Sequence, residues 1–480
     1  LITTDPNHDR IFKIIAKAAL EVNQPTYVVG GFVRDFYLDR LSDSKLDIDF
    51  VTIGSGIVLA EKVAELLNVQ KVAFFKQFGT AHLSWKGYDL EFVGARKESY
   101  HHESRNPVVE DGTLEDDQKR RDFTINALSW SLNDSDFGTL IDPFGGIQDL
   151  KNKVIKTPLD PDITFSDDPL RMMRAIRFAS QLNFEIDEPT MASIKRMCHR
   201  IDIISIERVV NELNKIILSK VPSRGFKLLF ESGLLKRFFP ELTDLHGVQD
   251  INGIRHKDNF WHTLQVLDNV AESSDNLWLR WAAILHDIAK PPTQRFHPEI
   301  GWTFHGHETL GASWTKKIFK RFNLPLDERL KYVQKLVRLH LRPIALVNEE
   351  VTDSAIRRLL FEAGEEIDDL MTLCRADITS KNENKVKRYL NNFEFVAKRL
   401  KEVEEKDKLR NWQPPVRGDE IMELLGLTAG PDVGKIKSAI ENAILDGIIE
   451  NDKDQALAFM YRIKEEILPT NPDKSAKKEQ

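Results

Sequence analysis

The spacing of apolar residues changes about a third of the way along the chain, and that change limits the fold more than anything else in the sequence. Ahead of it, Ile11, Ile14, Ile15, Ala18 and Ala19 have helical spacing over residues 8 to 22, which Gln24-Pro25 ends before the apolar run 27–29. Short apolar runs follow at 48–52, 69–75, 81–85 and 90–93, with one helical stretch at 57–67 between them. From about residue 165 onward nearly every periodic segment is helical, broken at Pro222, Pro240, Pro291-Pro292, Pro325, Pro343 and Pro414-Pro415. The expected class is α+β, a small mixed-sheet head followed by an all-α body.

With 480 residues, 41% of them hydrophobic, the chain can fill several cores. Its 68 basic and 75 acidic residues give a net charge of -7, so any RNA site has to be a local positive stripe. Cys198 and Cys374 are the only cysteines and form no CxxC pair, which excludes a disulfide scaffold and thiolate zinc and fits a reducing cytoplasm. No apolar run reaches the length of about 18 residues that a membrane span needs, and acids interrupt the first segment, so neither secretion nor a membrane partner is expected. Residues 471–480 (NPDKSAKKEQ) are expected to be a disordered tail.

Gly30-Gly31 closes the first strand ahead of a helical stretch beginning at Phe32, where backbone N–H groups can approach a phosphate and Arg34 can reach the same anion. A plain tight turn has the same sequence. Asp47 and Asp49 flank Ile48 in a strand-like segment, so the period of two puts both carboxylates on one face and Ile48 in the core. Two such like charges suit one or two Mg²⁺ ions, which in phosphoryl transfer activate the attacking hydroxyl and neutralise the triphosphate. Glu91, between Leu90 and Phe92, is a candidate third carboxylate.

These segments carry a resemblance. GGFVRD (30–35), DID (47–49) and RRDFTINAL (120–128) resemble the tRNA nucleotidyltransferase (class II CCA-adding) and bacterial poly(A) polymerase family, within the DNA polymerase beta-like superfamily. DPFGGIQDL (142–150) is similar to its hinge motif, DDPLRMMRAIRFA (167–179) to its base-reading helix, and SIERVVNEL (205–213) to the helix that buttresses the reader. Two departures are visible: Asp167 stands where Glu is usual, and about three extra residues separate Arg34 from Asp47. The resemblance implies that Arg120 and Arg121 contact ribose and phosphate of the incoming nucleotide, and that residues 97–119 are a flexible functional loop with little regular structure.

Asp168, Arg171, Arg174 and Arg177 are spaced by three, so on one helix they form a stripe with an acid at its N-terminal end. Asp168-Pro169 also has the form of an N-cap followed by proline, and a solvated basic face is the structural alternative for the arginines. Cytosine presents N3 and its N4 amino group, and adenine N1 and its N6 amino group, so an Arg donor beside an Asp acceptor satisfies either base. Uracil and guanine reverse both groups, and a buried mismatch of that kind rejects a substrate by a factor on the order of 10⁴. The family reads CTP and ATP in this way, and the residues here permit it.

A second constellation lies in the body. His262, the pair His286-Asp287 and the distant Asp377 fall in three helical stretches and supply nitrogen and oxygen ligands for a divalent metal, while His307 and His340 could complete a second site. Together they resemble the HD phosphohydrolase superfamily over about residues 245 to 380. The resemblance implies Mn²⁺, Co²⁺, Ni²⁺ or Mg²⁺ there and removal of terminal phosphates or opening of 2′,3′-cyclic phosphates. His305 is the weaker ligand of its pair, because GHE is the usual setting. The segments 414–427 and 429–440 are similar to the tail that holds tRNA in this family, with Gly430 and Gly434 at an expected helix start.

The domain order expected is a nucleotidyltransferase head (1–150), a helical neck (151–240), an HD-type domain (241–400) and a tRNA-binding tail (401–470). The expected activity is addition of C, C and A to tRNA. Poly(A) polymerases, CC-adding and A-adding enzymes of the same family, or an HD phosphohydrolase with an RNA-binding head, share these features.

Overall fold

The structure is a computed structural model describing residues 6–41, 46–75, 79–99, 108–348, 352–379, 383–407 and 412–468. The chain divides into two compact units, Leu1–Thr243 and Asp244–Gln480.

The first unit opens with helix α1 (Pro6–Glu21), strand β1 (Thr26–Val29), helix α2 (Gly31–Tyr37), strand β2 (Leu46–Thr52) and helix α3 (Gly56–Leu67). Strands β3 (Val72–Phe75), β4 (Thr80–Trp85), β5 (Tyr88–Gly94), β6 (Arg96–Ser99), β7 (Val108–Asp111), β8 (Ser129–Ser131) and β9 (Leu140–Ile141) follow. Seven of them form one sheet in the order β3-β4-β5-β2-β1-β8-β9. The β2–β5 pair is parallel and sets Asp49 opposite Glu91, whereas β1 runs antiparallel to β2 and sets Val29 opposite Asp49.

Alternation along β2 decides which face is dry. Ile48 and Phe50 are fully buried with Phe12, Ile15, Leu59, Leu90 and Phe92, and the Phe50 and Phe92 rings stack at 5.1 Å. Asp47, Asp49 and Glu91 therefore share the opposite face. Helix α3 approaches the sheet so closely that a Cβ on Gly56 would lie 2.6 Å from the Phe92 carbonyl oxygen.

The segment 97–119, expected to be irregular, contains regular structure. β6 and β7 pair antiparallel, and Leu114–Lys119 is a helix with a capping box. Asp116 N–H donates to Thr113 Oγ1 at 3.2 Å and Thr113 N–H to the Asp116 carboxylate at 2.9 Å. The Thr-x-x-Asp spelling of that box is local, and it outweighs the polar composition that suggested a loop. Residues 100–107 of this segment lie outside those described.

In the neck, helix Leu170–Leu182 packs on helix Ile206–Ile217, burying Met172, Met173, Ile176 and Ala179 with Val210, Leu213 and Ile217.

The second unit is helical. Asn259–Ser273, Leu277–Leu285, His307–Arg321, Glu328–Leu339 and Ile367–Asp377 enclose its core, and two-stranded hairpins lie at 250–255 and 295–303. The helix expected to run to Pro291 ends at Leu285, with His286 as its C-cap. The two prolines instead open a separate helix, Lys290–Thr293. Gly418–Leu425, Pro431–Leu445 and Lys453–Ile467 share a cluster around Ile421, Ile436, Ile440 and Met460, and Gly430 caps the middle helix. The tail 471–480 lies outside the described residues. No described helix is long and apolar enough to cross a membrane.

Candidate functional site

Gly30 has φ 76° and ψ -130°, a conformation that favours glycine. It also needs glycine's size, since a Cβ there would lie 3.0 Å from Arg121 Nη1 and 3.7 Å from Asp49 Oδ2. The tight turn thus brings a cation and an anion together over the strand ends. Burial pushes the Asp49 carboxyl up to about 6; Arg121 opposes this, while Glu91, Asp47 and Asp117 add to it. Around Asp49, three further carboxylates are set against one guanidinium. A divalent cation between Asp47 and Asp49 would relieve that excess of negative charge, so the donor set fits a hard metal ion.

Arg121 is oriented from behind. Its Nε donates to Asp117 Oδ2 at 2.9 Å and its Nη1 to the Asn126 carbonyl at 3.4 Å, while Arg120 Nη2 donates to Asp117 Oδ1 at 2.5 Å. Burial alone would raise the Asp117 pKa, but Arg121 and Arg120 outweigh it and hold this carboxyl below the ordinary range. Arg34 does not stand free beside the Gly-Gly turn. Its guanidinium makes a two-pronged bond to Asp35, at 2.9 and 2.8 Å, donates to Asn126 Oδ1 at 2.8 Å, and lies 5.0 Å from the centre of the Phe178 ring.

The stripe on the neck helix lies beside this cluster, and each of its arginines has a partner. Arg171 donates to the carbonyls of Arg120, at 2.6 Å, and Thr164, at 3.3 Å. Arg174 pairs with the buried Asp122 at 2.6 Å and Arg177 with the buried Glu212 at 2.7 Å. Asp168 accepts from Leu170 N–H at 3.1 Å and pairs with Arg208 at 3.3 Å. It therefore binds the first N–H of the helix, whose N-cap is Pro169, and still has an oxygen engaged by a half-exposed arginine. The arginines do not form the solvated basic face that was the structural alternative: acids from two other segments pair with Arg174 and Arg177 and backbone carbonyls hold Arg171, because a covered helix cannot leave guanidinium groups uncompensated.

Sequence reasoning did not single out Asp117, Asp122, Asn126, Arg208 or Glu212. Asp122 and Asn126 lie within RRDFTINAL, and Arg208 and Glu212 within SIERVVNEL. The signal was present in motifs read for their other residues.

In the second unit, six predicted ligands meet in a buried cluster. Ligand atoms of His262, His286 and Asp287 lie within 4.8 Å of one another, as do those of Asp287, His307 and His340. Asp287 joins the two groups. Its Oδ2 is 3.2 Å from His286 Nε2 and 3.6 Å from His262 Nε2, and its Oδ1 is 3.3 Å from His307 Nε2 and 3.8 Å from His340 Nε2. Asp377 adds an oxygen 2.8 Å from His262 Nε2 and 3.6 Å from His286 Nε2. His305 is exposed.

The imidazole orientations are fixed by the backbone. His286, His307 and His340 each place Nδ1 2.6–2.7 Å from the carbonyl three residues earlier. Donation from Nδ1 leaves each Nε2 as an electron pair directed into the cluster, the tautomer that binds metals. His307 and His340 then face each other Nε2 to Nε2 at 3.4 Å, an arrangement that needs a positive charge between them. His286 Nε2 is buried without a hydrogen-bond partner. Burial would lower the His286 pKa, but Asp287 and Asp377 outweigh it and raise it to about 10. The potential that draws a proton to this nitrogen attracts a divalent cation as well, so the residues fit a metal. Two lysines reach the cluster and were not foreseen: Lys290 Nζ lies 2.6 Å from Asp287 Oδ2, and Lys257 Nζ 2.7 Å from His262 Nδ1.

Three family descriptions match the chain: "Poly A polymerase head domain" over residues 26–156, "Probable RNA and SrmB- binding site of polymerase A" over 183–245, and "HD domain" over 259–382. An A-adding tRNA nucleotidyltransferase of Deinococcus radiodurans is 33% identical over 362 residues, covering 74% of this chain and 80% of that protein. A CC-adding tRNA nucleotidyltransferase of Thermus thermophilus is 31% identical over 453 residues, 90% of this chain and 92% of that one. The chain belongs to the tRNA nucleotidyltransferase and poly(A) polymerase family. Its fold agrees over nearly the whole length with a solved CCA-adding enzyme in complex with CTP, at 25% identity and a TM-score of 0.62, covering 98% of this chain and 96% of that one. The mixed-sheet head and helical body are those of a nucleotidyltransferase, and the cluster of the second unit lies within the matched HD domain.

Proposed function

We propose that this tRNA nucleotidyltransferase adds C, C and A in turn to the 3′ end of tRNA from CTP and ATP, without a template, in the cytoplasm. The observation that carries the reading is the meeting of two half-sites in one unit. Arg171 is bonded to the Arg120 carbonyl, so the base reader of the neck is fastened to the RRD segment that flanks Asp49. Asp47 and Asp49, with Glu91 beside them, would hold a Mg²⁺ ion, which would supply charge neutralisation at the triphosphate. The terminal hydroxyl oxygen bonds to the α-phosphorus, the bond from that phosphorus to the pyrophosphate oxygen breaks, and the hydroxyl proton is lost. Gly30 and Gly31 leave room for the phosphates, Arg120 and Arg121 steady ribose and phosphate, and Arg34, Arg174 and Arg177 hold the reader helix. Asp168 accepts the amino group of the base and Arg171 donates to its ring nitrogen. To do so they exchange the Arg208 and Thr164 contacts for the base edge.

A second reading is A-addition alone, favoured by the likeness to the Deinococcus radiodurans A-adding enzyme. Incubation with tRNA ending at the discriminator base, in C or in CC, with each nucleoside triphosphate separately, decides between them. Incorporation only of AMP, and only onto tRNA ending in CC, would sink the full-CCA reading.

The HD cluster is proposed as an independent phosphohydrolase whose ligands are His262, His286, Asp287 and Asp377, with His307 and His340 for a second ion. Mn²⁺, Co²⁺, Ni²⁺ or Mg²⁺ there would acidify a water. Lys257 and Lys290 are placed to neutralise the phosphate of a terminal or cyclic ester. His286→Ala with Asp287→Ala should stop phosphoester hydrolysis while nucleotide addition continues. Hydrolysis that survives this change would exclude the cluster as its source.

A further inference from the structure

We propose that His82 reads the 2′-hydroxyl of the ribose at the 3′ end of the tRNA, so that the head recognises the end it extends as RNA. The inference rests on the nucleotidyltransferase reading and adds a residue that sets which 3′ end is accepted. The register of the sheet places it. Asp49 on β2 stands opposite Glu91 on β5, and Glu91 stands opposite His82 on β4. Side chains opposite one another share a face, so these three form one row across the carboxylate face. His82 lies two strand spacings, about 10 Å, from Asp49. A second row of Asp47, Asp89 and Ser84 runs beside the first.

The two sides of Asp49 are not equivalent. Gly30, which follows β1, and Arg121 lie against one of them, where a Cβ on Gly30 would come 3.7 Å from Asp49 Oδ2 and 3.0 Å from Arg121 Nη1. Arg171 of the reader helix is bonded to the Arg120 carbonyl next to them. Triphosphate and base of the incoming nucleotide therefore belong on the β1 side. In an in-line displacement the attacking oxygen enters opposite the leaving one, which puts the terminal ribose of the tRNA over β5 and β4. Its 2′-hydroxyl neighbours the attacking 3′-hydroxyl and can donate a hydrogen bond. His82 is half-buried on that path, and its Nε2 faces Oδ1 of the buried Asp89 across 3.6 Å. Ser84 Oγ donates to the same oxygen at 2.5 Å and steadies the acid. The acid favours the proton on Nε2 and leaves Nδ1 as the acceptor. An imidazole takes the hydroxyl without adding to the negative charge of Asp47, Asp49, Asp89 and Glu91, which the phosphates of RNA already have to meet.

The test uses the full chain with Mg²⁺, CTP and ATP, and two tRNAs ending in CC that differ only in whether the last ribose carries its 2′-hydroxyl. The wild type should favour the ribose end in kcat/KM by about fivefold to tenfold, the worth of one hydrogen bond at a half-exposed site. In His82→Leu the ratio should fall to near one, and His82→Asn, whose amide oxygen takes the place of Nδ1, should keep most of it. Because the ratio is taken within each protein, a general loss of activity or of fold cancels. A preference that survives in His82→Leu, or a wild type that extends both ends equally, overturns the contact and leaves the transferase reading in place. Addition to neither end overturns that reading and the inference with it.

Discussion

Asp122 joins the neck helix Leu170–Leu182 to the RRDFTINAL segment of the head, and Asp122→Asn should weaken both the fold and the reaction. The carboxylate is 7% exposed; it accepts from Arg174 Nε at 2.7 Å and Asn126 Nδ2 at 2.9 Å. Burial would raise its pKa, yet Arg174, Asn126 and Arg171 overcome that and bring it from 3.8 down to about 2. The difference corresponds to about 2 kcal/mol of stabilisation of the charged form. Because the folded value is the lower one, this stability is present above pH 4 and is lost as pH falls toward 2. An amide of the same shape loses the charge and leaves Arg174 with a weaker partner, so we expect a cost of about 2–3 kcal/mol at pH 7. Native-state hydrogen exchange of helix Leu170–Leu182 reports this unit by itself. Its amides should exchange about 30-fold faster or more in the variant at pH 7 if they open with the whole unit, and the gap should narrow toward pH 3 as far as the protein stays folded. Addition of CMP and AMP should slow by about tenfold or more, since Arg174 no longer fixes the reader. Equal exchange in both proteins at pH 7, with unchanged addition, would refute the role given to Asp122.

Asp49→Asn should abolish nucleotide addition yet stabilise the metal-free fold at pH 8 by about 1–2 kcal/mol, because burial has raised the carboxyl to about 6 and its ionisation costs stability as pH rises through that value. The gain should vanish below pH 4, and a variant less stable than wild type at pH 8 would contradict the burial argument. Asp287 faces both metal groups, so Asp287→Ala should lose all tightly bound Mn²⁺ in metal analysis, whereas His307→Ala should lose only part; equal losses would argue against a shared ligand. Glu212→Ala should destabilise the first unit by about 3 kcal/mol because it strands the half-buried Arg177. The pair Glu212→Leu with Arg177→Met should recover most of that in hydrogen exchange, and a double change as costly as the single one would show that packing, not charge, is at stake.

The sequence alone settles what depends on near neighbours. A period of two puts Asp47 and Asp49 on one face and Ile48 in the core. Spacing by three lines up Asp168, Arg171, Arg174 and Arg177 on one helix, and covalent geometry enforces both patterns wherever the elements form. The motifs also spelled out the family and the six side chains that meet in the second unit. Tertiary structure decided what those groups do to one another. Arg174 meets Asp122 across 52 positions and Arg171 meets the Arg120 carbonyl across 51, and no local period encodes such a pairing. In the stripe, Arg174, Arg177 and Asp168 are ion-paired and Arg171 is held by two backbone carbonyls. His262 and Asp377 come within 2.8 Å only when separate helices close on one core, and that closure makes Asp287 common to two clusters and sets Lys257 and Lys290 against them. Charge pairing and pKa depend on distance through the folded interior, which hydrophobic burial fixes last and over the whole unit at once.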